Sequence, residues 1–102
     1  MDFKEATIKG QAPDKGLYFP EYIPEIKKEL IYNIDSVSNE ELAFQVIRPY
    51  VGGLIPNEVL MEIVTQTINF NIPVVPVSEN IYALEMFHGN TLAFKDIGAR
   101  FM

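Results

Sequence analysis

Apolar residues recur at helical spacing in two neighbouring segments of the chain. The first set is Leu42, Ala43, Val46, Ile47, Tyr50 and Val51, and the second is Val59, Leu60, Ile63, Val64, Thr67 and Ile68. Spacings of three and four residues place each set on one face of an α-helix. Ser38 with Glu41 predicts a capping box at the start of the first helix, and Pro56 opens the second. We therefore expect two amphipathic helices that pack as an antiparallel pair.

Glycine and proline mark the ends of the predicted helices. Gly52-Gly53 favours a cap after the first amphipathic helix, whereas Pro49 predicts a bend or an earlier stop near Arg48. Helix formers from Phe3 to Lys9, followed by Gly10, predict a short N-terminal helix. Residues 25–34 are expected to form one or two helical turns, and residues 94–102 a last helix.

The periodicity changes to that of β-strands after Asn69. Val74, Val75 and Val77, then residues 81–85, predict two short strands around a turn at residues 78–80. The prolines at positions 73 and 76 restrict the first strand to a sheet edge or a connector. The expected fold class is therefore α+β and mainly helical, with an amphipathic helix pair and a short strand pair.

Composition and charge exclude several classes of function. Hydrophobic residues make up 48% and charged residues 22%, which is typical of a globular protein. A net charge of -6 with scattered basic residues argues against a nucleic-acid partner. No apolar run approaches the roughly 20 residues that span a bilayer, and no secretory signal is recognisable. We expect a cytoplasmic protein with no membrane partner.

Motifs for phosphate loops and metal sites are missing from the sequence. It contains neither GxGxxG nor GxxxxGK[ST]. One histidine and no cysteine exclude a site rich in these ligands within the chain. Glu40-Glu41 and Glu25–Glu29 lie on predicted polar helix faces, which favours solvated surface over acid-base chemistry.

The strongest candidate for chemistry is Lys95. Three apolar residues precede it, and partial desolvation by them would favour the neutral amine, which adds to carbonyl groups. Such a lysine can hold an aldehyde cofactor such as pyridoxal phosphate. From the residues alone, a surface lysine or an ion pair with Asp96 is the more common outcome. His88 is expected to bond to nearby backbone, and Arg100 to lie at the surface or to pair with Asp96.

Three segments together resemble one enzyme family. Residues 85–101, EMFHGNTLAFKDIGARF, closely resemble the lysine segment of threonine synthase, E-L-F-H-G-P-T-x-A-F-K-D-x-G-x-R-F. Residues 3–21 are similar to the family's S-F-x-E-A-x-x-x-G-x-A-P-D-G-G-L-Y-x-P-E, and Ile55-Pro56 after Tyr50-Val51-Gly52 is similar too. Asn90 stands where the family usually has Pro. Lys15 replaces a usual Gly, so its loop need not have the same backbone angles.

The resemblance implies the N-terminal domain of a β-family (fold type II) pyridoxal-phosphate enzyme. Threonine synthases convert O-phosphohomoserine and water to threonine and phosphate. By this likeness Lys95 is the catalytic residue that forms a Schiff base with pyridoxal phosphate and later moves protons. Asn90, Thr91 and Asp96 are weaker candidates for cofactor contacts.

The end of the sequence indicates the front part of a longer protein. A helical pattern cut off after about two turns leaves many backbone acceptors unpaired. We expect residues 1–80 to form the N-terminal domain and residues 81–102 to begin the pyridoxal-phosphate-binding catalytic domain. The resemblance places most of the site after Met102, so the chain alone should be inactive and its main partner is the rest of its own chain.

An apolar patch is expected near this end of the chain, because its covering would come from the missing part. Its members are Leu84, Phe87, Leu92 and Phe101. Exposed apolar surface of this kind invites oligomer contacts.

Two alternatives to a threonine synthase fragment stay open at this point. One is a fragment of a related pyridoxal-phosphate dehydratase or sulfhydrylase, although those relatives lack the Ala-Pro-Asp-x-Gly-Leu-Tyr pattern of residues 12–18. The other is a stand-alone acidic helical module that acts through protein contacts. In that case Lys95 would be incidental.

Overall fold

The computed structural model describes residues 1–102, which form helices and one antiparallel strand pair. The elements are α1 (Phe3–Lys9), α2 (Lys28–Tyr32), a 3-10 turn (Ile34–Ser36), α3 (Asn39–Val51), α4 (Asn57–Thr67), β1 (Val74–Ser78), β2 (Ile81–Leu84) and α5 (Asp96–Phe101). The predicted α+β class, mainly helical with a short strand pair, is confirmed. None of the helices has the length and apolar character needed to cross a membrane.

Helix α1 begins with a full capping box. The Glu5 amide donates to Asp2 Oδ1 at 2.8 Å, and the Asp2 amide donates to Glu5 Oε2 at 3.4 Å. These bonds satisfy amides that the first turn of a helix leaves without partners. The helix ends at Gly10, whose φ of 68° suits glycine, and the Gly10 amide donates to the Ala6 carbonyl at 2.9 Å. The predicted N-terminal helix is therefore confirmed.

Helix α3 is ended by glycine and not by proline. The Glu41 amide donates to Ser38 Oγ at 3.2 Å at its start. At its end Gly52 adopts the left-handed conformation, with φ 63°, and donates to the Arg48 carbonyl at 3.3 Å. The helix continues through Pro49 to Val51, so the earlier stop near Arg48 does not occur. A proline so near the end of a helix removes one amide donor without preventing the last turn.

Helix α3 lies close to α1. Close contacts between elements join α1 with α3 and β1 with β2. The antiparallel packing of α3 against α4 stays a prediction. An apolar stripe shows that a helix has a face to bury, but it does not specify the element that covers this face.

The two strands pair antiparallel as predicted. Val74 lies opposite Leu84 and Pro76 opposite Tyr82, with a register irregularity between Pro76 and Ser78. In a sheet of two strands both are edge strands, so Pro76 removes no bond from a central ladder. Asn80 in the connecting turn has a φ of 62°, a conformation that asparagine tolerates better than most residues.

The loop after α1 takes a backbone conformation that favours glycine. Lys15 has a φ of 68°, although it stands where the resembled family usually has Gly. The Lys15 amide donates to the Ala12 carbonyl at 2.8 Å, and its carbonyl accepts from Gln11 Nε2 at 2.9 Å. Asp14 Oδ1 accepts from the Gly16 amide at 2.9 Å. This hydrogen-bonded turn holds a lysine in the left-handed region.

The chain divides into two compact units, Met1–Val64 and Thr65–Met102. In the first, the deeply buried side chains are apolar: Val51, Leu60 and Val64, each at most 2% exposed. In the second unit, two polar side chains are buried, those of Thr67 and Asp96. The predicted domain boundary after residue 80 is a separate matter and stays a prediction.

Candidate functional site

Lys95 lies between a tight turn and helix α5. The chain leaves β2 at Leu84, passes through irregular residues 85–88 and turns at residues 89–95. Helix α5 begins at Asp96, later than the predicted start at Phe94. The Asp96 amide donates to the Ala93 carbonyl at 3.0 Å, which closes the turn just before the helix. Lys95 is the residue immediately before the helix, with φ -74° and ψ -10°.

The Lys95 amine is open to solvent. Its Nζ lies 5.9 Å from the centroid of the Phe94 ring, within reach of a weak cation–π interaction. No carboxylate oxygen lies within 4.0 Å of it, so the ion pair with Asp96 considered above does not form. The apolar neighbours do not desolvate the amine within this chain, because Leu92 is 74% and Phe94 65% exposed.

Asp96 instead holds the preceding turn together. It is 5% exposed, and its Oδ2 accepts from the Thr91 amide at 2.9 Å. Its Oδ1 accepts from the Thr91 hydroxyl. These hydrogen bonds, first from the Thr91 hydroxyl and then from the Thr91 amide, lower the pKa of Asp96 from its ordinary value. The nearby charge of Arg100 acts in the same direction and burial opposes it.

Gly89 lies against the same carboxylate. A Cβ placed on Gly89 would come 3.0 Å from both Cβ and Cγ of Asp96 and closer still to Oδ2, so no larger residue fits without movement. We call Gly89, Thr91 and Asp96 the Asp96 clasp. Sequence reasoning did not single out Gly89, because its lack of space arises from the side chain of Asp96, whose direction depends on the fold of the intervening turn.

The clasp decides which polar groups near Lys95 are free to meet a ligand. Both donor hydrogens of Thr91 go to Asp96, so the Thr91 hydroxyl can only accept a further hydrogen bond. Asn90 is exposed and its side-chain amide has no hydrogen-bond partner in the structure. Among the three weaker candidates, Asn90 is thus the one with unused donors.

The other two candidates for chemistry have different partners from those expected. His88 Nε2 lies 2.7 Å from Glu85 Oε2, so the imidazole meets a carboxylate and not the nearby backbone. Arg100 Nη1 donates to Asn69 Oδ1 and does not form an ion pair with Asp96. Phe87, beside His88, is 48% exposed. Leu84 and Leu92 are exposed too, as expected for the apolar patch, whereas Phe101 is half-buried.

The chain matches known proteins over its whole length. A family model described as "Threonine synthase N terminus" matches residues 1–68. The threonine synthase of Haemophilus influenzae is 40% identical over 102 residues, and that of Escherichia coli is 35% identical over 102 residues. Each alignment covers 100% of this chain and 24% of the relative.

Solved structures share the fold as well. A crystal structure of threonine synthase from Brucella melitensis with bound PLP superposes with a TM-score of 0.86 at 36% identity, over 100% of this chain and 24% of that one. The enzyme from Escherichia coli gives a TM-score of 0.88 at 35% identity, over 99% of this chain and 24% of that one. The chain thus spans about a quarter of the length of these relatives. By the matched N-terminal model and these relatives, the chain is an N-terminal segment belonging to the threonine synthase family.

Proposed function

We propose that the full-length protein carrying this chain is a pyridoxal-phosphate-dependent threonine synthase, a lyase of threonine biosynthesis. It converts O-phosphohomoserine and water to threonine and phosphate. The observation that carries this proposal is the position of Lys95: its amine is exposed at the start of α5, within a segment that matches the family's lysine motif. A cytoplasmic location is part of the same proposal and rests on the composition of the chain.

The residues around Lys95 fit an aldehyde cofactor. A lysine that is to hold an aldehyde needs an accessible amine without a fixed carboxylate partner, and Lys95 has both properties. When bound, pyridoxal phosphate supplies an electron sink for carbanion chemistry at the substrate. Lys95 Nζ would hold the cofactor and would then be placed to carry protons to and from substrate carbon atoms, a role that requires the amine to stay close to them.

Asn90 is the polar neighbour best suited to meet cofactor or substrate. Its side-chain amide offers two donors that no protein group uses. The Thr91 hydroxyl can accept a hydrogen bond from a ligand but has no hydrogen left to donate. Asp96 has both carboxylate oxygens engaged with Thr91, so we assign it to the support of the turn and not to the ligand.

The 102-residue chain alone is expected to be inactive. It spans 24% of the length of its relatives, and we place the phosphate cradle and most substrate contacts outside it. Lys95 in the isolated chain should then bind pyridoxal phosphate no better than an ordinary surface lysine. Absorbance titration of the isolated chain and of the full-length protein measures this difference. A tight, saturable complex with the isolated chain would contradict it.

Assay of the full-length protein with O-phosphohomoserine tests the proposed reaction. We expect release of phosphate in equal amount to threonine, near-complete loss in Lys95→Ala, and normal activity in Lys4→Ala, an exposed lysine of α1. Full activity in Lys95→Ala would refute the role of this amine. Activity on other amino acids but not on O-phosphohomoserine would favour a related dehydratase or sulfhydrylase.

A further inference from the structure

We propose that Asp96 is a positioning residue for Lys95, and that the Asp96 clasp fixes the direction in which the lysine amine leaves the start of α5. This inference rests on the proposed function, because it assigns a partner to the lysine that function requires. Thr91 and Gly89, the other residues of the clasp, hold the Asp96 carboxylate in place.

The clasp holds the turn that contains Lys95 at both ends. Asp96 follows Lys95 directly in the chain, and its carboxylate returns to the Thr91 amide at 2.9 Å and to the Thr91 hydroxyl. The backbone from Thr91 to Asp96 is thereby closed into a ring. Hydrogen bonds to a charged acceptor are stronger than neutral ones, and this carboxylate is only 5% exposed, so water competes poorly for it. A closed ring leaves Lys95 fewer backbone orientations.

Shape as well as hydrogen bonding holds the carboxylate in place. The Cα of Gly89 occupies the side where any Cβ would overlap Asp96, so the carboxylate lies between Gly89 and Thr91. Gly89 is itself buried. Rotation of the Asp96 side chain away from Thr91 would break both hydrogen bonds from Thr91 to a buried charge, which is unfavourable.

The backbone within the ring is strained, which indicates that the clasp imposes its shape. Leu92 has a φ of 57°, in the left-handed region that leucine disfavours. Its amide donates to the Gly89 carbonyl at 3.1 Å. A strained residue of this kind persists when surrounding contacts over-determine it, and such residues occur at functional sites. The Leu92 side chain is 74% exposed, so the contacts that hold this conformation come from the backbone of the turn and from the clasp that closes it.

Thr91→Val in the full-length protein is the direct test, because it removes the hydroxyl donor and keeps the branched shape. Thr65→Val, at an exposed threonine of α4, is the matched control. Four quantities are measured: kcat and KM with O-phosphohomoserine, the visible circular dichroism per mole of bound pyridoxal phosphate, and the thermal midpoint. The dichroism reports whether the cofactor is held in one orientation, which a purely structural role would not alter at full loading.

A mispositioned Lys95 predicts a specific pattern. For Thr91→Val we expect kcat to fall about tenfold or more while KM stays within about threefold. The circular dichroism per bound cofactor should fall with it. Thr91→Ser, which restores the hydroxyl, should recover most of both signals. Thr65→Val should resemble the unchanged protein.

Gly89→Ala tests the clasp from its other side, without touching a hydrogen-bonding group. It forces the Asp96 carboxylate to move and should give the same combined loss of kcat and dichroism. Gly98→Ala in α5 is its control, because a Cβ there meets nothing within 4 Å. Should Gly89→Ala fail to fold, Thr91→Val decides the matter, since it introduces no overlap.

The outcomes separate this inference from the proposed function. Unchanged kcat and unchanged dichroism per bound cofactor in Thr91→Val overturn the positioning role, even if the thermal midpoint falls. When Lys95→Ala is inactive and the unchanged protein is active, an unaffected Thr91→Val variant overturns the positioning role of the clasp and leaves the proposed function intact. If Lys95→Ala keeps full activity, the proposed function has failed.

Discussion

Lys15→Gly should stabilise the chain, because Lys15 occupies the left-handed region with a φ of 68°. For a residue with a side chain, that region costs roughly 1–2 kcal/mol relative to a right-handed conformation, and glycine avoids this cost. The substitution keeps the turn, because its hydrogen bonds at position 15 use only the Lys15 backbone amide and carbonyl. The lysine side chain is exposed, so little packing is lost with it.

The opposing effect is the greater freedom of glycine in the unfolded chain, which costs about 0.5–1 kcal/mol. The difference leaves a net gain of about 0–1.5 kcal/mol in the free energy of unfolding, with a central value of about 0.75 kcal/mol. In a domain of this size such a gain raises the thermal midpoint by several degrees, at about 4–8 °C per kcal/mol. Lys15→Ala provides a second comparison, since it shortens the side chain and retains the strain.

Thermal and urea unfolding of the 102-residue chain, followed by far-ultraviolet circular dichroism, measures this change. Lys4→Gly within α1 is the matched control, and it should lower stability by about 1 kcal/mol because φ there is helical. If Lys15→Gly lowers stability as much as Lys4→Gly does, the left-handed conformation at Lys15 and the reasoning from it are refuted.

Three further predictions concern packing, capping and pH. Leu60→Ala should lower the free energy of unfolding, measured in urea, by about 2–5 kcal/mol, because Leu60 is 1% exposed. Val59→Ala, at a position that is 46% exposed, should lower it much less, and equal losses would show that Leu60 is not in the core. Ser38→Ala should lower stability by about 1 kcal/mol through loss of the cap on α3, and Ser38→Asp should retain most of it; no difference between the two would contradict a capping role. The pKa of Asp96 is lowered in the folded chain, so between the folded and unfolded pKa values the unfolded state binds more protons. The contribution of Asp96 to the free energy of unfolding is therefore present above about pH 4 and is lost as the pH falls through the folded pKa. Acid unfolding should therefore depend less steeply on pH in Asp96→Asn than in Asp35→Asn at an exposed site, and identical profiles would argue against the Thr91 hydrogen bonds.

The local signals of the sequence located most elements. The Ser38 cap and the glycines that follow Lys9 and Val51 correspond to the observed ends of α1 and α3. Such signals act within a few residues, so the sequence contains them directly. The packing of α3 against α4 stays a prediction, since an apolar stripe is compatible with any apolar surface of suitable shape. The predicted start of α5 at Phe94 was two residues too early, because the turn before the helix is held by the contact between Thr91 and Asp96.

The candidate site was predictable as a residue but not as an arrangement. Lys95 could be named from the family-like motif around it, whereas composition and spacing alone favoured a surface lysine. The contact of Asp96 with Thr91 could not be predicted in the same way. Its partner depends on a turn in which Leu92 has a positive φ, and nothing in the residue types required that conformation. Gly89 is informative only once the Asp96 carboxylate is seen beside it.

Borohydride reduction of the full-length protein with pyridoxal phosphate, followed by peptide mapping, tests the central claim most directly. Reduction fixes the cofactor covalently to the amine that holds it. We expect one label per chain, on the peptide that contains Lys95, and no label in Lys95→Ala. A label on a different lysine of the active protein would contradict the account.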